Sequence, residues 1–143
     1  MARTGGPLKP KRIHHTGVVV RSIQESYAFF RDTLGLPVLK EATMEDQGVK
    51  AALLDLGNGL LELLEPIDPA LGIARYLESQ GEGLHHVCLE VDDIVATLAD
   101  LKAKDVRLID EKPREGLVGQ IAFVHPKPLH GVLVELVDAS TAL

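Results

Sequence analysis

The feature that most constrains this chain is that it repeats itself. Residues 12–23, RIHHTGVVVRSI, and residues 83–94, GLHHVCLEVDDI, share one pattern offset by 71 residues, about half of the 143-residue chain. Each copy runs from a His-His pair through an apolar stretch and a short polar turn into a helical pattern. Two copies are too few for a solenoid, which needs at least three stacked units to bury a continuous core. The repeat therefore predicts an α+β fold of two β-α-β-β-β modules in a pseudo-two-fold arrangement.

The first module is expected over residues 13–66. A β-branched strand covers residues 14–20, and Ser22 to Glu25 fits a capping box, in which hydroxyl and carboxylate satisfy free N–H groups at a helix start. Ile23, Tyr27, Phe30 and Leu34 then recur at helical spacing, with Gly35 as the stop. Strands are expected next at 37–44 and 49–56. The Gly57-Asn58-Gly59 turn, whose residues tolerate positive φ, leads into a fourth strand at 60–64. Residues 67–83 form a connector with a short helix near 73–79. The second module, 84–138, repeats the order: a strand at 84–91, a helix with Ile94, Leu98 and Leu101 on one face, and strands near 106–109, 121–124 and 132–137. Residues 1–12, with Arg3, Lys9, Lys11 and Arg12 and no acid, read as a disordered tail. Residues 13–143 are expected to form a single domain.

Composition excludes several classes. The net charge of −6 is concentrated in the folded part, because the tail is basic. That balance, with no Trp and only 3% aromatic residues, argues against nucleic-acid binding. No apolar stretch is long enough to span a membrane, and the N-terminus lacks a secretory pattern. The single cysteine, Cys88, rules out a disulfide framework or a multi-thiolate zinc site and suits a cytoplasmic location.

Strand parity singles out four polar residues. Side chains alternate between the faces of a strand, so each His-His pair sends its members opposite ways. His85 shares a face with Val87, Leu89 and Val91, whereas His86 shares the more polar face with Cys88 and Glu90. By repeat equivalence His15, beside Gly17, faces the same way as His86, and His14 and His85 point elsewhere. Each fourth strand carries one acid in an apolar run, Glu62 and Glu135. An ionised carboxylate on a buried strand is costly unless paired or bound to metal. Two imidazoles and two carboxylates at matched positions could hold a divalent ion, without selecting sharply among Co, Ni, Zn, Mn or Fe. The alternative is that both acids point to solvent and the histidines are ordinary core residues; recurrence in both modules favours convergence. Weaker candidates are the turn acids Glu45 and Asp46, His125 and His130 near Pro126 and Pro128, and Cys88 as a packing residue. The charged helix face of Asp100, Lys102 and Lys104 reads as solvation, and there is no phosphate-cradling Gly-rich loop.

These residues resemble the vicinal oxygen chelate superfamily and, within it, the methylmalonyl-CoA epimerase family. The matching stretches are HTGVVV from His15, FRDTLGL from Phe30, DLGNG from Asp55 and LELLEP from Leu61. They continue with GLHHVCLEVD from Gly83, His125-Pro126-Lys127 and GVLVEL from Gly131, so that the resemblance spans about residues 12–137. It implies curled mixed sheets enclosing a metal site, usually in a homodimer, with His15, Glu62, His86 and Glu135 as ligands of one divalent ion. The second ligand is often Gln in this family. The implied reaction interconverts the epimers of methylmalonyl-CoA through an enolate-like intermediate, one group removing the α-proton and another returning it. Glu135 matches one member of the family's acid–base pair. The other is a glutamate before Gln-Gly; here the chain reads Glu45-Asp46-Gln47-Gly48, so the register favours Asp46 and side-chain length favours Glu45. Lys127 and Arg114 are candidate cations for a CoA phosphate. Other readings are a glyoxalase-type lyase using the same four ligands, an extradiol dioxygenase (disfavoured, since it would use three ligands), and a metal-free dimer that sequesters a small molecule.

Overall fold

The computed structural model describes residues 8–142. The expectation of a tail at residues 1–12 therefore falls largely outside the described residues, although Arg12 already opens the first strand. The elements are β1 (Arg12–Val19), α1 (Ile23–Tyr27), β2 (Val38–Met44), β3 (Val49–Asp55), β4 (Leu60–Pro66), α2 (Gly72–Gln80), β5 (Gly83–Val91), α3 (Ile94–Ala103), β6 (Arg114–Glu115), β7 (Gln120–Val124) and β8 (Val134–Asp138). The chain separates into two compact units: His15–His86, and Val87–Leu143 with the stretch that ends at His14. Both keep the β-α-β-β-β order.

In the first unit the strand order is β2-β3-β4-β1. β1 runs parallel to β4, while β2, β3 and β4 form antiparallel pairs. Ser22 caps α1, its hydroxyl accepting the N–H of Glu25 at 3.1 Å, as the spacing predicts. The helix face does not continue as expected. After Tyr27 the chain enters a π-helical turn at Ala28–Thr33, with the N–H of Leu34 bonding the carbonyl of Phe29 at 2.9 Å. The wider turn rotates the later residues out of line with the first ones. Ile23 and Tyr27 are buried and Phe30 partly so, but Leu34 is exposed. Gly35, at φ +77°, ends the segment. The core under α1 is Val20, Ile23, Tyr27, Ala52, Leu54 and Leu63.

The second unit has the order β5-β8-β7-β6. β5 runs parallel to β8 and β8 antiparallel to β7. Asp93 caps α3 by accepting the N–H of Ala96 at 3.0 Å. Val91, Ile94, Leu98, Ala122, Val124 and Leu136 form the core. The strand expected at 106–109 does not form; only Leu108 bridges to Val124, and the outer strand is the two-residue β6. The cause is local to Asp110. The N–H groups of Ile109 and Asp110 both converge on the carbonyl of Phe123, and the Asp110 carboxylate accepts the Phe123 N–H at 2.9 Å. A side chain thus takes the place of the next ladder carbonyl, and regular pairing stops. Val106 and Leu108 still pack on the core, which accounts for their strand-like sequence pattern. The Pro126-Pro128 turn becomes a short 3₁₀ helix at Lys127–Leu129, and β8 starts at Val134 rather than at 132. Among the described residues no helix is long and apolar enough to cross a membrane.

Candidate metal centre

β4 shows how strand alternation builds the site. Leu61 and Leu63 turn to the core under α1, so Glu62 turns to the opposite face. It is nevertheless only 6% exposed. The β1–β4 ladder sets Gly17 directly across from Glu62. His15, two residues from Gly17, shares its face and is completely enclosed. His86 enters from β5. The Nε2 atoms of His15 and His86 are 3.1 Å apart, and Glu62 Oε1 lies 3.6 Å from the first and 3.3 Å from the second. Three atoms of metal-ligating type therefore meet at one buried point within a single unit.

Two observations bear on whether these residues suit a metal. Ion–ligand bonds of about 2.0–2.2 Å put neighbouring ligand atoms roughly 3.0–3.6 Å apart, the spacing of these three atoms. Space for the His86 ring depends on a missing side chain: a Cβ on Gly17 would fall 2.1 Å from His86 Cε1. Any residue other than glycine at position 17 would displace that imidazole. The donor set of two imidazoles and a carboxylate fits a borderline divalent cation.

In the second unit Glu135 occupies the corresponding place. Val134 and Leu136 pack on the core and Glu135 takes the other face, opposite Cys88 of β5 and Phe123 of β7, with 6% exposure. Neither glutamate points to solvent, which removes the alternative of two solvated acids. Glu90, a third buried acid, pairs with Arg12 at 3.1 Å. Cys88 is fully buried, as a packing residue would be.

The remaining candidates separate. Glu45 and Asp46 lie in a one-turn 3₁₀ segment, Glu45–Gln47, closed by Gly48 at φ +68°, and both are exposed. The first residue of β3, Val49, pairs with Pro66, four positions beyond Glu62, so the turn lies about 13 Å along the strand from that acid. Lys127 sits in the 3₁₀ turn after β7, with its N–H bonded to His125 Nδ1 at 3.1 Å. His130 takes a left-handed backbone conformation at the end of that turn. Arg114 pairs with Asp110 at 3.2 Å and lies over the Phe123 ring. Lys104 pairs with Asp100, and Lys102 with Glu111.

Two groups escape sequence reasoning. Glu65 accepts the N–H of Ile23 at 2.7 Å and Asp138 accepts that of Ile94 at 2.9 Å, so each fourth strand sends a carboxylate to the start of its own unit's helix. Both lie three residues beyond the central acid of their strand, a spacing visible in the repeat. His85 is the other: its Nδ1 is 2.9 Å from Nδ1 of His86, and its ring stands edge-on to Tyr76 of α2.

Comparison with known proteins agrees with this architecture. Residues 14–123 match the Glyoxalase/Bleomycin resistance protein/Dioxygenase superfamily. The chain is 36% identical to the mitochondrial methylmalonyl-CoA epimerase of Homo sapiens over 95% of its own length and 78% of the relative's. It is also 36% identical to the ethylmalonyl-CoA/methylmalonyl-CoA epimerase of Cereibacter sphaeroides, covering 87% of this chain and 96% of that protein. A solved methylmalonyl-CoA epimerase in complex with methylmalonyl-CoA and NH4+ superimposes with a TM-score of 0.86 at 35% identity, covering 94% and 99% of the two chains. A strand-and-helix order repeated in both units, matched in sequence and structure over nearly the whole length, places this chain in the glyoxalase/bleomycin resistance/dioxygenase superfamily and, within it, among the methylmalonyl-CoA epimerases, which are isomerases.

Proposed function

We propose that the chain interconverts the (R) and (S) epimers of methylmalonyl-CoA by removing and returning the acidic α-proton, with a divalent ion (Co, Ni, Zn or Mn) held by His15, Glu62, His86 and Glu135. The observation that carries this reading is the buried convergence of the His15, Glu62 and His86 ligand atoms within 3.1–3.6 Å. Family membership supplies the substrate class, and the place of Glu135 in the repeat supports it as fourth ligand. The ion would act as a Lewis acid, stabilising charge that develops on the substrate oxygens.

The chain's own residues carry the proton. Glu135 on β8 is the acceptor on one face of the reacting carbon. The group on the other face is assigned to the turn after β2 on register and not on proximity, since that turn lies about 13 Å along the strand from Glu62: Gln47-Gly48 favours Asp46, with Glu45 as the longer neighbour. A carboxylate in each position lets the reaction run in either direction, because each group serves as base for one epimer and as acid for the other. The enzyme is proposed to work as a homodimer in the cytoplasm, and Lys127 and Arg114 are the cations offered to the CoA phosphates.

The test is wash-in of deuterium at the α-carbon of methylmalonyl-CoA in deuterated water, alongside metal analysis of the purified protein. The expected outcome is exchange that stops on treatment with a chelator and returns with added cobalt(II). Exchange that is indifferent to chelation would overturn the metal dependence. Absence of exchange with bound metal would return the chain to the wider superfamily, with lyase activity on a glutathione hemithioacetal as the next assay.

A further inference from the structure

We infer that His85 is a positioning residue for its neighbour: it accepts the Nδ1 proton of His86 and thereby holds the His86 Nε2 lone pair toward Glu62 and His15. The inference rests on the metal reading above but concerns this chain's own hydrogen bonds. A neutral imidazole carries one proton, so whichever nitrogen is bonded as a donor leaves the other as the acceptor or ligand. In His86 the two nitrogens have distinct surroundings. Nε2 faces His15 Nε2 at 3.1 Å and Glu62 Oε1 at 3.3 Å, while Nδ1 lies 2.9 Å from Nδ1 of His85. For Nε2 to offer its lone pair, the proton must reside on Nδ1, and the acceptor there is His85.

His85 is itself held in place. Tyr76 on α2 donates its hydroxyl to the backbone carbonyl of Leu84 at 2.6 Å. That bond anchors the Tyr76 ring, which meets the His85 imidazole edge-on with centroids 4.7 Å apart. The His85 and His86 rings in turn lie nearly perpendicular, at 88°. Beside the Cε1 edge of the ring, the missing side chain at Gly17 leaves the room that the His86 imidazole takes. The ring is thus oriented by a hydrogen bond at Nδ1 and by the absence of a side chain at position 17. Outer partners of this kind fix tautomer and direction, and their loss typically weakens metal binding about 10–100-fold.

Two substitutions separate this role from packing. His85→Phe keeps an aromatic ring against Tyr76 and deletes the acceptor, whereas His85→Asn places an amide oxygen where Nδ1 stood. Cobalt(II) affinity is measured by titration of metal-free protein, and the His86 tautomer is read from long-range proton–nitrogen NMR correlations of the same metal-free samples. The expected result is a dissociation constant raised by about 10–100-fold in His85→Phe and largely restored in His85→Asn. In the metal-free wild type, His86 should carry its proton on Nδ1. Equal affinity of wild type and His85→Phe, equal loss in both variants, or an Nε2-protonated His86 in the wild type would each overturn the role of His85 while leaving the metal reading intact. A wild-type chain that binds no divalent ion would instead remove the metal reading, and the affinity role of His85 with it.

Discussion

The two units are built alike where strand meets helix and differ at their outer strands. In both, a polar residue caps the helix, Ser22 or Asp93, and a carboxylate from the fourth strand, Glu65 or Asp138, takes the N–H of the first helical residue. In both, an acid on that strand is buried on the face turned away from the helix, Glu62 or Glu135. The outer strands diverge: seven residues of β2 in the first unit against two residues of β6 in the second. The residue across the ladder from the central acid also differs, Gly17 facing Glu62 and Cys88 facing Glu135. The shared corner sets the strands that carry the acids, while the two units differ in what stands beside those acids and in the length of the outer strand. The first unit holds His15, Glu62 and His86 together and carries the acidic turn at the end of its long outer strand. The units are related by repetition but are not chemically equivalent.

The largest effects are expected when the two central acids are neutralised in turn. Glu135→Gln is expected to lower turnover by about 10²–10⁴-fold or more, because an amide can coordinate through oxygen but cannot act as a base near neutral pH. Its metal content should fall much less. Glu62→Gln, changed at the position proposed only as a ligand, should retain most turnover. Equal losses of activity in the two variants would show that the acids do the same work. The turn after β2 bears on the same asymmetry. Asp46→Asn should cut deuterium wash-in by about 10²–10⁴-fold while leaving metal bound, and Glu45→Gln should do far less. The reverse ranking would shift the register by one residue, and two unaffected variants would place the second base outside this turn.

A smaller effect is expected across the ladders. Gly17→Ala would put a methyl group inside the His86 ring, at 2.1 Å from Cε1. The ring must then leave its position, with an expected drop in metal affinity of about 10–100-fold. Cys88→Ala at the matched place in the second unit truncates a side chain and brings no atom onto the His86 ring, so it should leave metal affinity nearly unchanged, at a stability cost of about 1 kcal/mol. Parallel metal titrations and thermal melts of the two variants measure both quantities. Similar metal loss in the two would mean that the Gly17 gap has no special relation to His86.

Much of this is legible in the sequence, for a common reason. The repeat, the cap at Ser22, the Gly57-Asn58-Gly59 hairpin and the matched acids Glu62 and Glu135 all depend on local spacing, which the chain states directly. Legibility ends where a distant or side-chain partner decides the outcome. Nothing in the spacing of Ile23, Tyr27, Phe30 and Leu34 distinguishes an α-helix from one that widens into a π turn after Tyr27. The segment at 106–109 has the composition of a strand, but Asp110 reaches Phe123 and interrupts its ladder. Glu65 and Asp138 read as ordinary strand-end acids until the helix starts they serve are located. Alternation assigns His85 to the opposite face from His86, and only the ring geometry brings its Nδ1 to that of His86.

The smallest expected effects lie at the shared corner, where the units should behave alike in kind and differ in degree. Glu65 Oε1 accepts the Ile23 N–H. Asp138 gathers more: Oδ2 accepts the Ile94 N–H, and Oδ1 accepts both the N–H and the hydroxyl of Ser140. Burial pushes the Asp138 carboxyl up, but the bonds from Ser140 and Ile94 outweigh it and hold the group below the usual carboxylate range. A carboxylate that ionises more easily folded than unfolded stabilises the fold when charged. That contribution is fully present above the unfolded value of about 3.9 and is lost as pH falls through the lower folded value. Asp138→Asn should therefore cost about 1–2 kcal/mol near neutral pH, since one oxygen becomes an N–H₂ group facing the Ser140 donors. Glu65→Gln keeps an oxygen acceptor for Ile23 and should cost about 0.5 kcal/mol. Urea unfolding of wild type and both variants from neutral pH down to about pH 3 supplies the comparison. The gap between wild type and Asp138→Asn should narrow only below about pH 4. A gap that stays constant down to the lowest pH would mean that Asp138 acts through shape and not through its charge.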